Sequence, residues 1–195
     1  MSTAAEVFKE SITDAETLLR HFDDLNTHPP PPDIEVLKRA GLIMAMTAWE
    51  TYVEDCIQEI AAERIEGLED VSIAEYVRSK LDEEIRRLHN PGAAKTIELF
   101  RDFAGVDLSK AWRWNPFDPK EVRTRLNDYL KLRGDVVHRS RPLPADAPNA
   151  HPVKKVDLVR AIAFLKNLVE ATEKALVASE CGQMEREEQV RLAAT

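Results

Sequence analysis

Apolar residues recur every three or four positions along most of this 195-residue chain, and no strand-like alternation lasts more than a few residues. The clearest stripe lies between residues 34 and 65, where eight apolar positions share one side of a helix: Leu42, Ala45, Met46, Trp49, Val53, Cys56, Ile57 and Ile60. Only six glycines interrupt the chain. The sequence therefore predicts an all-α protein, an antiparallel bundle of about five to six helices.

Turn and capping signals divide the helical pattern into segments. We expect helices over about 4–26, 34–65, 72–88, 93–103, 118–138 and 153–179. Asp33 is a candidate cap for the second helix, and Ser72 begins a capping-box pattern at the third. Asp118 and Glu121 form the same pattern at the fifth.

The C-terminal end of the chain is polar. Gly182 is expected to end the last helix, and "QMEREEQVRLAAT" follows it. We therefore predict a single helical domain over 1–181 and a polar C-terminal tail over 182–195.

Composition limits the compartment and the cofactors that we expect. No apolar run approaches the roughly 20 residues that span a bilayer, and no signal-peptide pattern is visible. Neither the two cysteines nor the five histidines have metal-binding spacing, so no metal or other cofactor is indicated. We expect a cytoplasmic protein with no membrane partner.

Charge is distributed unevenly along the chain. The formal net charge of −8 argues against binding nucleic acid through overall charge. Segment 110–141 nevertheless carries nine Lys or Arg against four Asp or Glu. Such a segment is either a solvated basic face or a site for an anion.

The stretch "KLRGDVVHRS", residues 131–140, ends the fifth predicted helix. At about 100° per residue, Arg133 shares an arc of about 100° with five apolar residues: Val122, Leu126, Tyr129, Leu130 and Val137. A buried guanidinium keeps its proton and needs an anion or carbonyl groups. Asp135 and His138 are neighbours on an adjacent face, where the carboxylate can fix the imidazole tautomer and raise its pKa.

The residues alone leave two interpretations open. In the first, Arg133 pairs with a core carboxylate such as Glu50, and His138 interacts favourably with the helix C-terminus. In the second, Arg133 and His138 form a site, Glu50 orients the arginine, and Arg139 and Arg141 bind phosphates. The segment with Trp112, Trp114 and Phe117 has the same ambiguity: these rings can stack on the flat rings of a ligand, but core or dimer packing is their commoner use.

The string "LKLRGDVVHRS" at the end of a helix resembles the Arg-x4–6-His motif of the HEPN superfamily, and "MTAWETYVEDCIQE" resembles the Trp-Glu helix of its RiboL-PSP branch. Both segments occur in the family's order, within about 34–178. The resemblance implies a metal-independent endoribonuclease, often in toxin–antitoxin or antiviral defence systems, with a composite site between two protomers. It implies that Arg133 and His138 are catalytic. The family usually has a polar residue directly after the arginine, whereas this chain has Gly134 and then Asp135.

The expected function is therefore cleavage of RNA by 2′-hydroxyl attack, with Arg139 and Arg141 binding RNA and Asp135 and Glu50 in supporting roles. The alternatives are a catalytically inactive HEPN-like dimer that binds RNA, nucleotide or a partner protein, and a purely structural helical module. Besides RNA, we expect a second copy of the chain and an antitoxin or other regulatory protein as partners.

Reaction chemistry also favours a dimer. One copy of the motif offers a single proton-transfer group, whereas 2′-hydroxyl attack needs a proton removed at one oxygen and delivered at another. A two-fold axis beside the end of the fifth helix would bring two copies together. We expect Val136, Leu143 or the 112–117 segment to supply apolar contact there.

Overall fold

The computed structural model describes residues 1–28, 31, 33–138 and 153–193, and for residues 138, 180 and 183–193 it describes the helical backbone alone. The described chain contains six helices and no strand: α1 (Thr3–Leu25), α2 (Glu35–Glu66), α3 (Val71–Arg86), α4 (Ala93–Ala104), α5 (Pro119–His138) and α6 (Lys155–Ala193). The prediction of an all-α helical bundle is confirmed. Leu143 and residues 139–152 as a whole lie outside the described residues.

Helix α2 is the centre of the bundle, since it packs against each of the other five helices and most extensively against α1. Its predicted apolar stripe is the core: Trp49, Val53, Cys56 and Ile57 are completely buried. Truncating a buried aromatic such as Trp49 to Ala costs about 3–5 kcal/mol. The stripe therefore fixes the orientation of α2 and, with it, the place of the polar residues next to the stripe.

The start of α5 is set locally, as the sequence predicted. The Asp118 carboxylate accepts hydrogen bonds from the backbone N–H groups of Lys120 and Glu121, both at 2.8 Å. In return, the Glu121 side chain accepts from the Asp118 N–H at 2.9 Å. This reciprocal capping box aligns the first turn of the helix that carries Arg133.

Two predicted caps are wrong. The third helix is capped by Asp70, whose carboxylate accepts from the backbone N–H groups of Ser72 and Ile73, so Ser72 lies inside the helix. A carboxylate two residues earlier outcompetes the serine hydroxyl because it is charged and faces the helix dipole. Helix α2 begins after Ile34 with no side-chain cap, and Asp33 contributes its carbonyl to the Val36 N–H instead.

The expected helix stop at Gly182 is also wrong, because α6 continues through it to Ala193. Glycine ends a helix by adopting a left-handed conformation. Among the described glycines, Gly105 does so, with φ 63°, and it ends α4. A glycine that keeps helical angles costs about 1 kcal/mol but does not stop a helix. The boundary between the 1–181 domain and the 182–195 tail stays a prediction.

The buried side of α5 turns slightly near its end. Val136 is 6% exposed and Val137 is 45% exposed, which reverses the predicted order. On a helical wheel Val136 lies about 40° to one side of Val122, whereas Val137 lies about 60° to the other. Val136 is therefore part of the core and is not available for the dimer contact that we expected from it.

No helix within the described residues is both long enough and apolar enough to cross a membrane.

Candidate active site

Arg133 of α5 and Glu50 of α2 meet where the two helices pack. Arg133 Nη2 lies 3.7 Å from Glu50 Oε2, and the two side chains are 22% and 20% exposed. Glu50 follows the completely buried Trp49, so the packing of that ring sets the position of the carboxylate. This distance is that of an ion pair rather than a hydrogen bond. Glu50 therefore contacts Arg133, as both interpretations of the sequence expected, and its supporting role in a site stays a prediction.

A third residue, Asn90, comes from the turn between α3 and α4. Its backbone N–H donates to Glu50 Oε1 at 2.9 Å, and its side-chain Oδ1 accepts a hydrogen bond from Arg133 Nη1. Asn90 has φ 55°, a left-handed conformation that asparagine tolerates better than most residues do. One residue thus joins the carboxylate of α2 to the guanidinium of α5. We call Arg133, Glu50 and Asn90 the arginine cluster.

The turn that carries Asn90 is held from both sides. The buried indole N–H of Trp49 donates to the Pro91 carbonyl at 3.2 Å. On the other side, Asn127 of α5 accepts from the Ala93 N–H at 3.1 Å. Because α2 and α5 both bond to this turn, the place of Asn90 is fixed by the tertiary structure.

The guanidinium is not fully bonded. Its Nε is buried, and it is the one buried side-chain nitrogen or oxygen within the described residues that has no hydrogen-bond partner. An unsatisfied buried donor costs about 1–3 kcal/mol. The resting contacts of Arg133 therefore leave part of its bonding capacity unused.

The surroundings of the cluster are acidic on the α2 side. Glu54 lies one turn after Glu50, and its pKa is raised by burial and, to a lesser degree, by the negative charges of Glu50 and Asp55. The charge of His89, next to Asn90, acts in the opposite direction. His89 is exposed and stands beside this cluster, although its spacing in the sequence gave it no role.

The family model described as RiboL-PSP-HEPN matches residues 10–178, which is most of the chain and includes the whole arginine cluster. The chain belongs to the RiboL-PSP-HEPN family. Searches of curated proteins and of solved structures gave no match. HEPN domains are often ribonucleases or nucleotide-binding proteins.

Only part of the predicted HEPN motif falls where side chains are described. Asp135 is half-buried on α5, two residues beyond Arg133. His138 is the last residue of α5, and its side chain lies outside the described part of the structure. Arg139 and Arg141 lie outside the described residues altogether. The roles assigned to these four residues stay predictions.

In the predicted motif, Gly134 takes the position at which the HEPN family commonly has a polar residue. A Cβ atom added to Gly134 would meet none of the described heavy atoms within 4 Å. The helix geometry at this position therefore accepts a side chain. Glycine is not required there for packing against the described residues.

The aromatic segment before α5 mainly serves the core of the HEPN domain. Trp112 is completely buried, packs edge-on against Trp49 at 6.2 Å, and donates its indole N–H to Thr172 at 2.9 Å. It is therefore not available to stack on a base or to contact a second protomer. Trp114 and Phe117 are half-buried and pack against Phe164.

Within the described residues, no group of three or more His, Cys, Asp or Glu side chains is arranged to hold a metal ion.

Sequence reasoning missed Asn90. Asn90 belongs to the string "HNPG", which follows the third predicted helix and by itself indicates only the end of that helix. The Asn-Pro-Gly string does predict a turn, but a residue before proline favours extended angles, so the left-handed conformation of Asn90 was not predictable from it. Its bond to Arg133, 43 positions away in the chain, has no local signal.

Proposed function

We propose that this HEPN domain is a metal-independent endoribonuclease that cleaves RNA by 2′-hydroxyl attack. The observation that best supports the proposal is the arginine cluster. It holds a permanently charged guanidinium on the inner side of α5, five residues before the motif histidine, with a donor that no described residue satisfies. The planar guanidinium matches the geometry of a phosphate, which is the anion that this proposal places on Arg133.

In this reaction RNA supplies its own nucleophile. The 2′-oxygen attacks the adjacent phosphorus, the bond to the 5′-oxygen breaks, and the products carry a 2′,3′-cyclic phosphate and a 5′-hydroxyl. One group takes the 2′-hydroxyl proton and another delivers a proton to the departing 5′-oxygen. We assign His138 to proton transfer and Arg133 to the phosphate oxygens, on which negative charge accumulates.

The supporting residues follow from this assignment. Glu50 and Asn90 hold Arg133 in place, and Asp135 orients His138 from the same helix. Arg139 and Arg141 bind flanking phosphates, so their contribution to RNA affinity falls as the salt concentration rises.

The second proton-transfer group comes from a second copy of the chain. A two-fold axis beside the C-terminal end of α5 places two Arg133 and two His138 residues in one cleft. Val137, which is 45% exposed at that end, offers apolar surface for this contact. We expect a dimer in light scattering at micromolar concentration. A monomer that still cleaves RNA would contradict the composite site.

The decisive experiment incubates the purified protein with RNA in EDTA. We expect cleavage with cyclic-phosphate ends and a loss of at least about 100-fold in rate for His138→Ala and for Arg133→Ala. Exposed residues provide matched controls, His21→Ala on α1 and Arg78→Ala on α3. The assignment is wrong if the two motif variants cleave RNA as fast as these controls do.

We further propose that the protein acts in the cytoplasm as a toxin or defence effector restrained by an antitoxin or other regulatory protein, as is common in the family. Expression of the wild-type chain should then slow growth, and expression of the Arg133→Ala/His138→Ala variant should not. Equal growth inhibition by both proteins would show that the toxicity does not depend on Arg133 and His138.

The second candidate function is an inactive HEPN-like dimer that binds RNA, nucleotide or a partner protein. The feature that favours it is Gly134, which lacks the polar side chain common at this position. Because a Cβ atom at this position meets no described heavy atom within 4 Å, Gly134→Asn is a suitable test of the idea. An inactive wild type and an active Gly134→Asn variant would support this candidate.

A further inference from the structure

A second cleft lies between the loop that connects α4 to α5 and the middle of α6. Its volume is about 460 Å³, which lies in the range of small-ligand sites. None of the residues that line it belongs to the arginine cluster. The loop contributes Lys110, Arg113 and Trp114, and α6 contributes Asn167 and Lys174.

The lining of this cleft is more positive than the chain as a whole. It contains three cations, Lys110, Arg113 and Lys174, and two carboxylates, Asp107 and Glu170, which gives a net charge of +1 in a chain of −8.

Both carboxylates are already engaged. Asp107 accepts the Ser109 N–H at 2.8 Å, and Glu170 pairs with Lys174 at 2.6 Å. Lys110 and Arg113 are exposed on the loop wall of the cleft, which also carries Asp107, and Glu170 lies on the α6 wall. The loop wall attracts an anion.

The cleft also offers a surface for a flat ring. Trp114 is half-buried, with Phe164 at 5.4 Å and Phe117 at 6.0 Å supporting its indole. Three small side chains also line the cleft: Ala111, Ala171 and Ala175. A supported tryptophan next to cations suits a nucleobase that carries a phosphate.

Asn167 adds a polar group that can contact the edge of a base. Its Nδ2 donates to the Ala163 carbonyl at 2.8 Å within α6, which fixes the orientation of the amide. The Oδ1 atom is then an acceptor for an exocyclic amino group.

We propose that this cleft binds one nucleotide, with the base on Trp114 and the phosphate on Lys110 and Arg113. The site extends the proposed function and does not rest on it, because binding requires no cleavage. The nucleotide is either free or part of a single RNA strand, and the experiment separates these sources.

Binding is measured by fluorescence anisotropy with a labelled 2′-O-methyl RNA hexamer and by NMR titration with AMP and UMP. The methylated RNA lacks the nucleophile, so ribonuclease activity cannot affect the result. Binding of the hexamer alone identifies an RNA strand as the source. Binding of a mononucleotide with comparable affinity identifies the free nucleotide.

The variants test the position of the site. We expect the double change Lys110→Ala/Arg113→Ala to weaken binding at least fivefold and, for the hexamer, to reduce the slope of log affinity against log salt by about 1.4. The double change Arg78→Ala/Lys120→Ala removes one exposed arginine and one exposed lysine outside the cleft, so it is the charge-matched control and should change neither quantity. Glu170→Gln should strengthen binding, because it removes the carboxylate that pairs with Lys174.

Equal losses for Arg78→Ala/Lys120→Ala and for Lys110→Ala/Arg113→Ala would show that only general charge attraction acts. The proposal would be overturned by that result, by weaker binding of the Glu170→Gln variant, or by the absence of binding of the hexamer, AMP and UMP. Absence of RNA cleavage by the wild type would refute the ribonuclease assignment. The binding measurement on the cleft would not be affected by that outcome.

Discussion

The bond between Asn90 and Arg133 makes the sharpest prediction about the stability of the arginine cluster. We would combine Asn90→Gly with Arg133→Ala in a double-mutant cycle. Glycine is the better replacement because Asn90 has φ 55°, at which alanine would add about 1–2 kcal/mol of backbone strain.

The size of the coupling follows from the surroundings of the bond. A hydrogen bond to a charged group contributes about 1.5–3 kcal/mol when it is shielded from water. Asn90 is exposed, and water can replace part of what its Oδ1 supplies, so we expect a coupling of about 1 kcal/mol. Asn90→Gly adds the same chain entropy to the unfolded state whether or not Arg133 is present, so this term cancels in the cycle. Arg133→Ala removes the Glu50 ion pair whether or not Asn90 is present, so that term cancels as well.

The assay is urea unfolding followed by far-ultraviolet circular dichroism for the four proteins of the cycle. A parallel cycle of Asn167→Ala with Arg133→Ala is the control, because the Asn167 amide bonds within α6 and not to Arg133. The control should be additive within about 0.3 kcal/mol. The same additivity in the Asn90 cycle would refute the reasoning.

Three further predictions concern single positions. Gly134→Ala should raise the free energy of unfolding by about 0.5–1 kcal/mol, since the added Cβ meets no described atom and alanine favours the helix; a lower urea midpoint would contradict this. Burial raises the pKa of the Cys56 thiol to about 12. Ellman's reagent at pH 8 should therefore modify the exposed Cys181 quickly and Cys56 only on unfolding. Two rapidly reacting thiols per chain would contradict this prediction. Burial and the charge of Glu50 raise the pKa of Glu54, so its contribution to stability is present below its ordinary value of 4.5 and is lost as pH rises through the folded value. Glu54→Gln should therefore be more stable than the wild type at pH 7 and lose that advantage near pH 4, as measured by urea unfolding; no advantage at pH 7 would contradict this.

Features that depend on neighbouring residues were predictable from the sequence. The capping box of Asp118 and Glu121 formed as expected because its hydrogen bonds span three residues. Arg133 lies on the inner side of α5 because helical periodicity fixes the face of each residue once the helix is given. The family resemblance, which depended on two short strings, was confirmed by a match over residues 10–178.

Local signals failed where two of them competed or where a residue had two allowed conformations. Asp70 and Ser72 both suit a helix start, and the charged side chain is the cap. Gly182 can end a helix or continue one, and it continues α6. The local sequence does not decide between these outcomes because their free energies differ by only about 1 kcal/mol.

The sequence by itself determined the helical bundle, the inner position of Arg133 and the candidate partner Glu50. Only the tertiary structure brought Asn90 to them, because that contact joins positions 43 residues apart through the packing of α2 and α5 around one turn. Periodicity states which face a residue occupies, and it contains no information about which turn of another segment will meet that face. The partners of Arg133 were therefore decided by the way the helices pack.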